Sequence, residues 1–316
     1  MARFLPDISA HPGMIRSTSP KGTSMIFERP VVAVALVVAA SLPLVTRLIP
    51  HHSSGHAGSA RAIAPQRIQT GARVGASAVP EHYFSSIVWC VMENHGFDQV
   101  KELASHRFLM RHGAVLARYR DIGHPSGPNY RVIVSGEAWC PDEVFGQAEP
   151  SVATELRERG IRTLDWQVWG KPDLKHDPYH DLLNPVETRV GPFNPEQLPP
   201  RTQVYLGADD NNNAHDGPLS AVDRNLTDLI QRLDRSRWFN TPDKQGRYPV
   251  LAVTWDESFR GDDRVFTAFY GHGVKPGYVS NRSYTHFNLC RTLTDNWGMP
   301  ALGQAAKVAA IDDVWK

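Results

Sequence analysis

The chain reads as an α/β protein built on a largely parallel sheet with helices on both faces, and three observations carry that reading. Residues 250–255 (VLAVTW) are an unbroken apolar run with β-branched and aromatic members, the mark of a strand buried on both faces. The run ends in Asp256-Glu257. Residues 87–92 (IVWCVM) repeat the design and lead into Glu93-Asn94. Around these two runs strand and helix signals alternate, as they do when helices cross between parallel strands.

The elements follow in order. After the strand at 87–92, residues 114–119 (AVLARY) are the next expected strand. Ser151 is the expected N-cap of a helix over VATELRER, with Val152 and Leu156 on one face and Gly160 just past its end. Strands are expected at 161–168 and, shorter, at 203–206. Val222, Leu226, Leu229, Ile230 and Leu233 recur at helical spacing and give the strongest helix signal. A strand at 265–270 follows the 250–255 strand. The last helix is expected at 287–297, stopped by Gly298 with Pro300 beyond. Residues 171–202 are Pro-rich and irregular, the wall of a site rather than a domain. No internal repeat is present, so residues 81–316 are expected to form one catalytic domain.

Residues 1–80 have another character. The apolar run at 31–45 is flanked by Arg29 and Arg47 and falls short of the roughly 20 residues a spanning helix needs. It suits the apolar region of a secretory signal. Residues 51–80 then read as a flexible linker. Export to the periplasm, cell surface or medium is expected. A single-pass anchor through 31–45 is the alternative, and it would be the chain's only membrane contact.

Lys+Arg 34 against Asp+Glu 33 leaves a net charge of +1, which gives no basis for a nucleic-acid surface. The three cysteines show neither CxxC nor zinc-site spacing. Cys90 lies inside an expected strand as an apolar filler. Cys140 and Cys290 can pair only if the fold brings them together.

Two strands that deliver carboxylates and an amide toward one sheet edge point to a hard or borderline divalent metal. Sites of open α/β sheets lie at that carboxyl edge. The segment HPSGPNY at 124–130 reads as a tight turn. Its Ser126 is either a structural turn residue or a nucleophile activated by metal coordination. DDNNNAHDG at 209–217 is either a solvated turn or a ligand-bearing loop, with His215 as ligand or proton donor. His272, between two glycines after the 265–270 strand, is either exposed in an exit turn or close to a ligand. His176 in KHDPY walls the pocket or belongs to a plain loop, and Asp262-Asp263 reads as a solvated turn. His286 caps or packs the last helix.

In order, VMEN (91–94), HPSGPNY, KHDPY (175–179), DDNNNAHDG, TWDE (254–257), FYGHGVKPG (269–277) and the tail at 284–305 resemble the phosphoesterase family of bacterial acid phosphatases and phospholipases C. That family belongs to the alkaline phosphatase-like superfamily. The resemblance spans residues 85–305 and departs from the commoner pattern at Gly127. It implies a three-layer α/β/α sandwich and metal-dependent phosphoryl transfer. Glu93, Asn94, Ser126, Asp256 and Glu257 would hold one divalent ion: Ca²⁺, Mg²⁺, Mn²⁺ or Zn²⁺. Ser126 would be the nucleophile. Asn129, His215 and His272 would surround the phosphoryl or leaving group.

The expected activity is hydrolysis of a small-molecule or phospholipid phosphate ester by an acid phosphatase-like phosphomonoesterase. A phospholipase C-like phosphodiesterase and a non-catalytic exported binding protein of the same fold are the alternatives.

Overall fold

A computed structural model describes residues 82–138, 150–172, 174–180, 185–259 and 261–316. The expectations for residues 1–80 and for Cys140 fall outside these. Among the described residues the order is β1 (Ile87–Met92), α1 (Phe97–Val100), α2 (Ala104–His112), β2 (Ala114–Arg120), α3 (Ser126–Ser135), α4 (Val152–Glu158) and β3 (Arg162–Trp169). Then come β4 (Glu187–Val190), β5 (Thr202–Ala208), α5 (Asp210–Asn213), α6 (Leu219–Arg235), α7 (Arg237–Asn240), β6 (Val250–Trp255), β7 (Thr267–Tyr270), β8 (Tyr278–Thr285) and α8 (His286–Asn296).

The strands form one eight-stranded sheet in the order β4-β3-β5-β1-β6-β7-β2-β8. All run parallel except β7, which is antiparallel to both of its neighbours, β6 and β2. Every residue of β1 and β6 is buried, which matches their continuous apolar sequences. Helices α3, α4 and α8 pack on one another, as do α2, α6 and α7 around α6. The expected α/β fold with a mostly parallel sheet is the observed one. The apolar stripe of α6 is the buried one: Val222, Leu226, Leu229, Ile230 and Leu233 all face inward. Ser151 caps α4 by accepting from Thr154 N–H at 3.2 Å, and Gly160 takes φ 68° past the helix end. Cys90 and Cys290 are both buried.

Four features differ from the sequence reading. Residues 126–135 are helical, so the expected turn is the first turn of α3; Pro128 fits there because first-turn N–H groups have no intrahelical partner. Helix α2 was hidden by polar residues, and only Ser105, His106 and Leu109 of it are buried. Strands β4 and β8 occupy the two sheet edges, where one exposed side removes the apolar signal. Finally, the strand expected from 265 begins at Thr267 and runs backwards through the sheet.

Candidate active site

Met92 and Trp255 are register partners, so Glu93 and Asp256 leave adjacent parallel strands side by side. Asp256 N–H donates to Met92 O at 2.8 Å and extends the pairing by one residue. Asn94 adopts the left-handed backbone at φ 64°, which Asn tolerates better than most side chains. That conformation aims its N–H at Asp256 Oδ1, 2.9 Å away. Glu93 N–H donates to Asn213 O at 2.9 Å, which seats the 209–217 loop against the end of β1. Helix α3 arrives from another side. Ser126 is its first residue and donates through Oγ to Glu93 Oε2 at 3.1 Å. One turn later Tyr130 donates its hydroxyl to Glu93 Oε1 at 2.5 Å.

Imidazoles complete the cluster. His176 places Nε2 3.6 Å from Glu93 Oε2 and Nδ1 3.1 Å from Asp210 Oδ1. Its ring lies 5.2 Å from that of His215, whose Nδ1 faces Asp216 Oδ1 at 2.9 Å. One ligand atom each from Glu93, His176 and His215 lies within 4.8 Å of the other two.

Glu93 and Asp256 are fully buried, and Glu257 is 3% exposed. Burial pushes the Glu93 carboxyl well above the usual carboxylate range, and the Asp256 charge adds to the rise. Asp256 is raised by burial, although the Asn94 N–H and the Ser126 hydroxyl hold it back. Glu257 is pushed up to about 7 by burial first and the Asp256 charge second. Carboxyl groups this close, away from water, do not all ionise without a cation. Asp256 Oδ2 is buried with no hydrogen-bond partner. An orphaned carboxylate oxygen among converging oxygens fits a hard divalent cation, and the two imidazoles also suit Zn²⁺.

The structure thus brings Glu93, Asn94, Ser126, Asp256 and His215 to one edge, as the sequence predicts. Glu257 and Asn129 reach the same edge in different roles. Glu257 Oε1 is 2.8 Å from His124 Nδ1, and Oε2 accepts from Asn129 Nδ2 at 3.3 Å. Asn129 Nδ2 also donates to Gly123 O at 2.7 Å, and its Oδ1 accepts from Ile122 N–H at 3.0 Å. Its amide therefore organises the loop that delivers Ser126 instead of facing a phosphoryl group. His124 is half exposed; burial lowers its pKa, but the hydrogen bond and charge of Glu257 outweigh this and raise it overall. Asp121 ties two site loops together, accepting from Gly123 N–H at 3.0 Å and Ser258 N–H at 2.8 Å.

His272 is a correction. Because β7 is antiparallel, its end lies at the edge where β6 begins: Tyr270 is paired with Leu251. There His272 Nε2 contacts Asn240 Oδ1 at 2.7 Å and its ring lies 4.7 Å from Tyr248, away from the carboxylates. Three further participants join the site. His124 and Tyr130 lie inside HPSGPNY with no role of their own in the sequence reading, and of the two readings of His176 the structure supports the pocket wall. Glu93 has no sequence neighbour that reveals its contact with either His176 or Tyr130. His286 packs behind the site, 2.7 Å from Asp256 O, and burial pushes its pKa down to about 4, so it stays neutral there.

No family model matches the chain. It is 29% identical over 270 residues to a phosphatidylinositol-3-phosphatase of Mycobacterium tuberculosis, covering 77% of this chain and 86% of that protein. It is 23% identical to a phosphate-repressible acid phosphatase of Penicillium chrysogenum, covering 69% of this chain and 59% of the fungal protein. An acid phosphatase of Aspergillus fumigatus is 20% identical, with 69% of this chain and 55% of that one covered. Among solved structures, a protein in the alkaline phosphatase superfamily from Vibrio parahaemolyticus superposes with a TM-score of 0.53 at 12% identity. That match covers 72% of this chain and 69% of the other and bears on the fold alone. The chain shares the fold of that alkaline phosphatase superfamily protein and is similar in sequence to proteins named phosphatases. It is a hydrolase acting on phosphoric ester bonds.

Proposed function

We propose that the chain is an exported, metal-dependent phosphomonoesterase with Ser126 as its nucleophile. The observation that carries this is the setting of Ser126: the first residue of a ten-residue helix, with Oγ 3.1 Å from Glu93 Oε2, beside an Asp256 carboxyl whose Oδ2 has no partner. Glu93, Asn94, Ser126 and Asp256 would hold the divalent ion, with Glu257 behind them. When bound, the ion supplies positive charge to the phosphoryl oxygens and lowers the pKa of a coordinated hydroxyl.

The chain's own groups do the rest. Glu93 Oε2 orients Oγ by accepting its hydrogen bond. The start of α3 favours an anion through its unpaired N–H groups. The Ser126 hydroxyl gives up its proton to water, and Oγ bonds to phosphorus as the ester P–O bond breaks. The departing alcohol takes a proton from His215, whose ring is oriented by Asp216. Water then attacks phosphorus, giving one proton to His215 and so restoring it; the Oγ–P bond breaks, Oγ regains a proton from water, and phosphate leaves with the serine restored. The names of the relatives, acid phosphatase and phosphatidylinositol-3-phosphatase, support a monoester; the second also supports a phosphorylated lipid headgroup.

Acid quench of native enzyme turning over labelled substrate is expected to trap phosphate on the peptide containing Ser126. Ser126→Ala should fold, bind metal and lose several orders of magnitude in kcat. Label on a histidine peptide, or near-native turnover by the variant, rejects the nucleophile. Assays with p-nitrophenyl phosphate, its bis-ester and a phosphoinositide, with and without chelator, read ester class and metal dependence. A preference for the bis-ester would overturn the monoester assignment. N-terminal sequencing of protein recovered outside the cytoplasm tests export through residues 31–45.

A further inference from the structure

A cavity of about 740 Å³ opens at the sheet edge opposite Ser126, where β1, β5 and β6 begin. Its size falls in the range of pockets that hold drug-sized ligands. Three pinned segments build it. The 195–201 segment is held where Pro199 O accepts from Trp238 Nε1 at 3.1 Å and from Thr202 Oγ1 at 2.8 Å. The 241–249 turn is held by Asp243, whose Oδ1 accepts from Gln245 and Arg247 N–H at 2.9 Å each. Ser85 and Ser86 line it just before the start of β1.

The walls are apolar, with Leu198, Trp238, Pro242 and Pro249 among them. Two of the polar groups inside are engaged by the protein itself. The Trp238 indole is used by Pro199, and Ser86 Oγ accepts from Thr202 N–H at 3.1 Å. The charges are unbalanced: four basic side chains line the cavity against two acidic ones. Asp243 is neutralised by Arg247 at 2.6 Å, and Glu196 accepts from Arg237 N–H at 2.5 Å. The Arg237 guanidinium and the Lys244 ammonium have no carboxylate within ion-pair distance among the described residues.

We infer that this pocket binds a single-chain acyl anion, with its carboxylate on Arg237 and Lys244 and its chain along Leu198 and Trp238. Charge complementarity selects the head, and the apolar walls select the tail. The pocket lies at the opposite edge from Ser126, so its ligand is a second ligand and not the ester being cleaved.

The test uses dodecanoate below its micelle concentration and reads tryptophan fluorescence, with Trp238→Phe as the reporter control. Saturable binding is expected, and the double variant R237E/K244E should weaken it at least tenfold. Both positions are exposed, and the variant's melting temperature and p-nitrophenyl phosphate turnover should stay native. Ser126→Ala should bind dodecanoate like the parent. Three outcomes would overturn the inference. One is no saturable signal. Another is equal affinity in the double variant, which means apolar partitioning alone. The last is a concentration-dependent dimer broken by R237E/K244E, which makes a second copy of the chain the occupant.

Discussion

At the scale of single residues, the arrangement turns on how Glu93 is shared. Tyr130 takes Oε1 and Ser126 takes Oε2, so one side chain on α3 fixes the carboxylate that another side chain of the same helix uses. Burial, with the Glu93 charge second, keeps the Tyr130 phenol far above its ordinary pKa, so it remains a donor. Groups that orient ligands in this way typically account for about 10–100-fold in metal affinity. Tyr130→Phe should therefore bind Mn²⁺ or Mg²⁺ roughly 10–100-fold more weakly by calorimetry while keeping its fold. Unchanged affinity would reduce Tyr130 to a space-filling role. Asp256→Asn should lose more, because it alters the carboxylate with the orphaned oxygen.

At the scale of elements, β3 carries an acid where an interior strand would ordinarily place an apolar residue. Asp165 is 1% exposed, and its Oδ2 has no hydrogen-bond partner. Burial first, and Asp177 second, push its carboxyl up to about 8. Between the unfolded value near 4 and the folded value near 8, the folded chain holds a proton that the unfolded chain has released. Stability contributed here is therefore present at low pH and lost as pH rises through that window. Asp165→Asn keeps the acceptor for Gln167 Nε2, now 2.7 Å from Oδ1, and removes the ionisation. Its melting temperature should rise at pH 7, by about 2–4 °C for each kcal/mol gained, and change little at pH 4. A loss at both pH values would show that the carboxyl is needed in place.

At the scale of the whole molecule, one reversed strand divides two edges of the sheet. Seven parallel strands send their ends to the edge that carries the candidate site, and β7 sends its end to the other. His272 follows β7 and His215 follows β5, so two histidines with similar sequence settings part company. His272→Ala should leave kcat on p-nitrophenyl phosphate within about twofold, as surface changes away from a site do. His215→Ala should lower it by about 10²–10⁴-fold, the usual range for a general acid. Comparable losses in both variants would contradict the separation of edges.

Local pattern alone determined the central strands, because continuous burial requires continuous apolar sequence, as in VLAVTW and IVWCVM. It also determined α6, whose apolar spacing is its buried face, and the Ser151 cap. Glu93-Asn94 at the end of β1 and Asp256-Glu257 at the end of β6 marked the candidate-site edge for the same reason: carboxylates at the end of a buried strand need a partner. Edge strands β4 and β8 lacked any such signal, since water on one side relaxes the pattern. Tertiary structure alone decided which residues share the site. Strand direction placed His272 on the wrong edge, and strand order set Glu93 beside Asp256. The 174–176 turn, distant in sequence, supplied His176. Contacts between segments tens of residues apart depend on which strands become neighbours and which way they run, and that is a property of the assembled sheet.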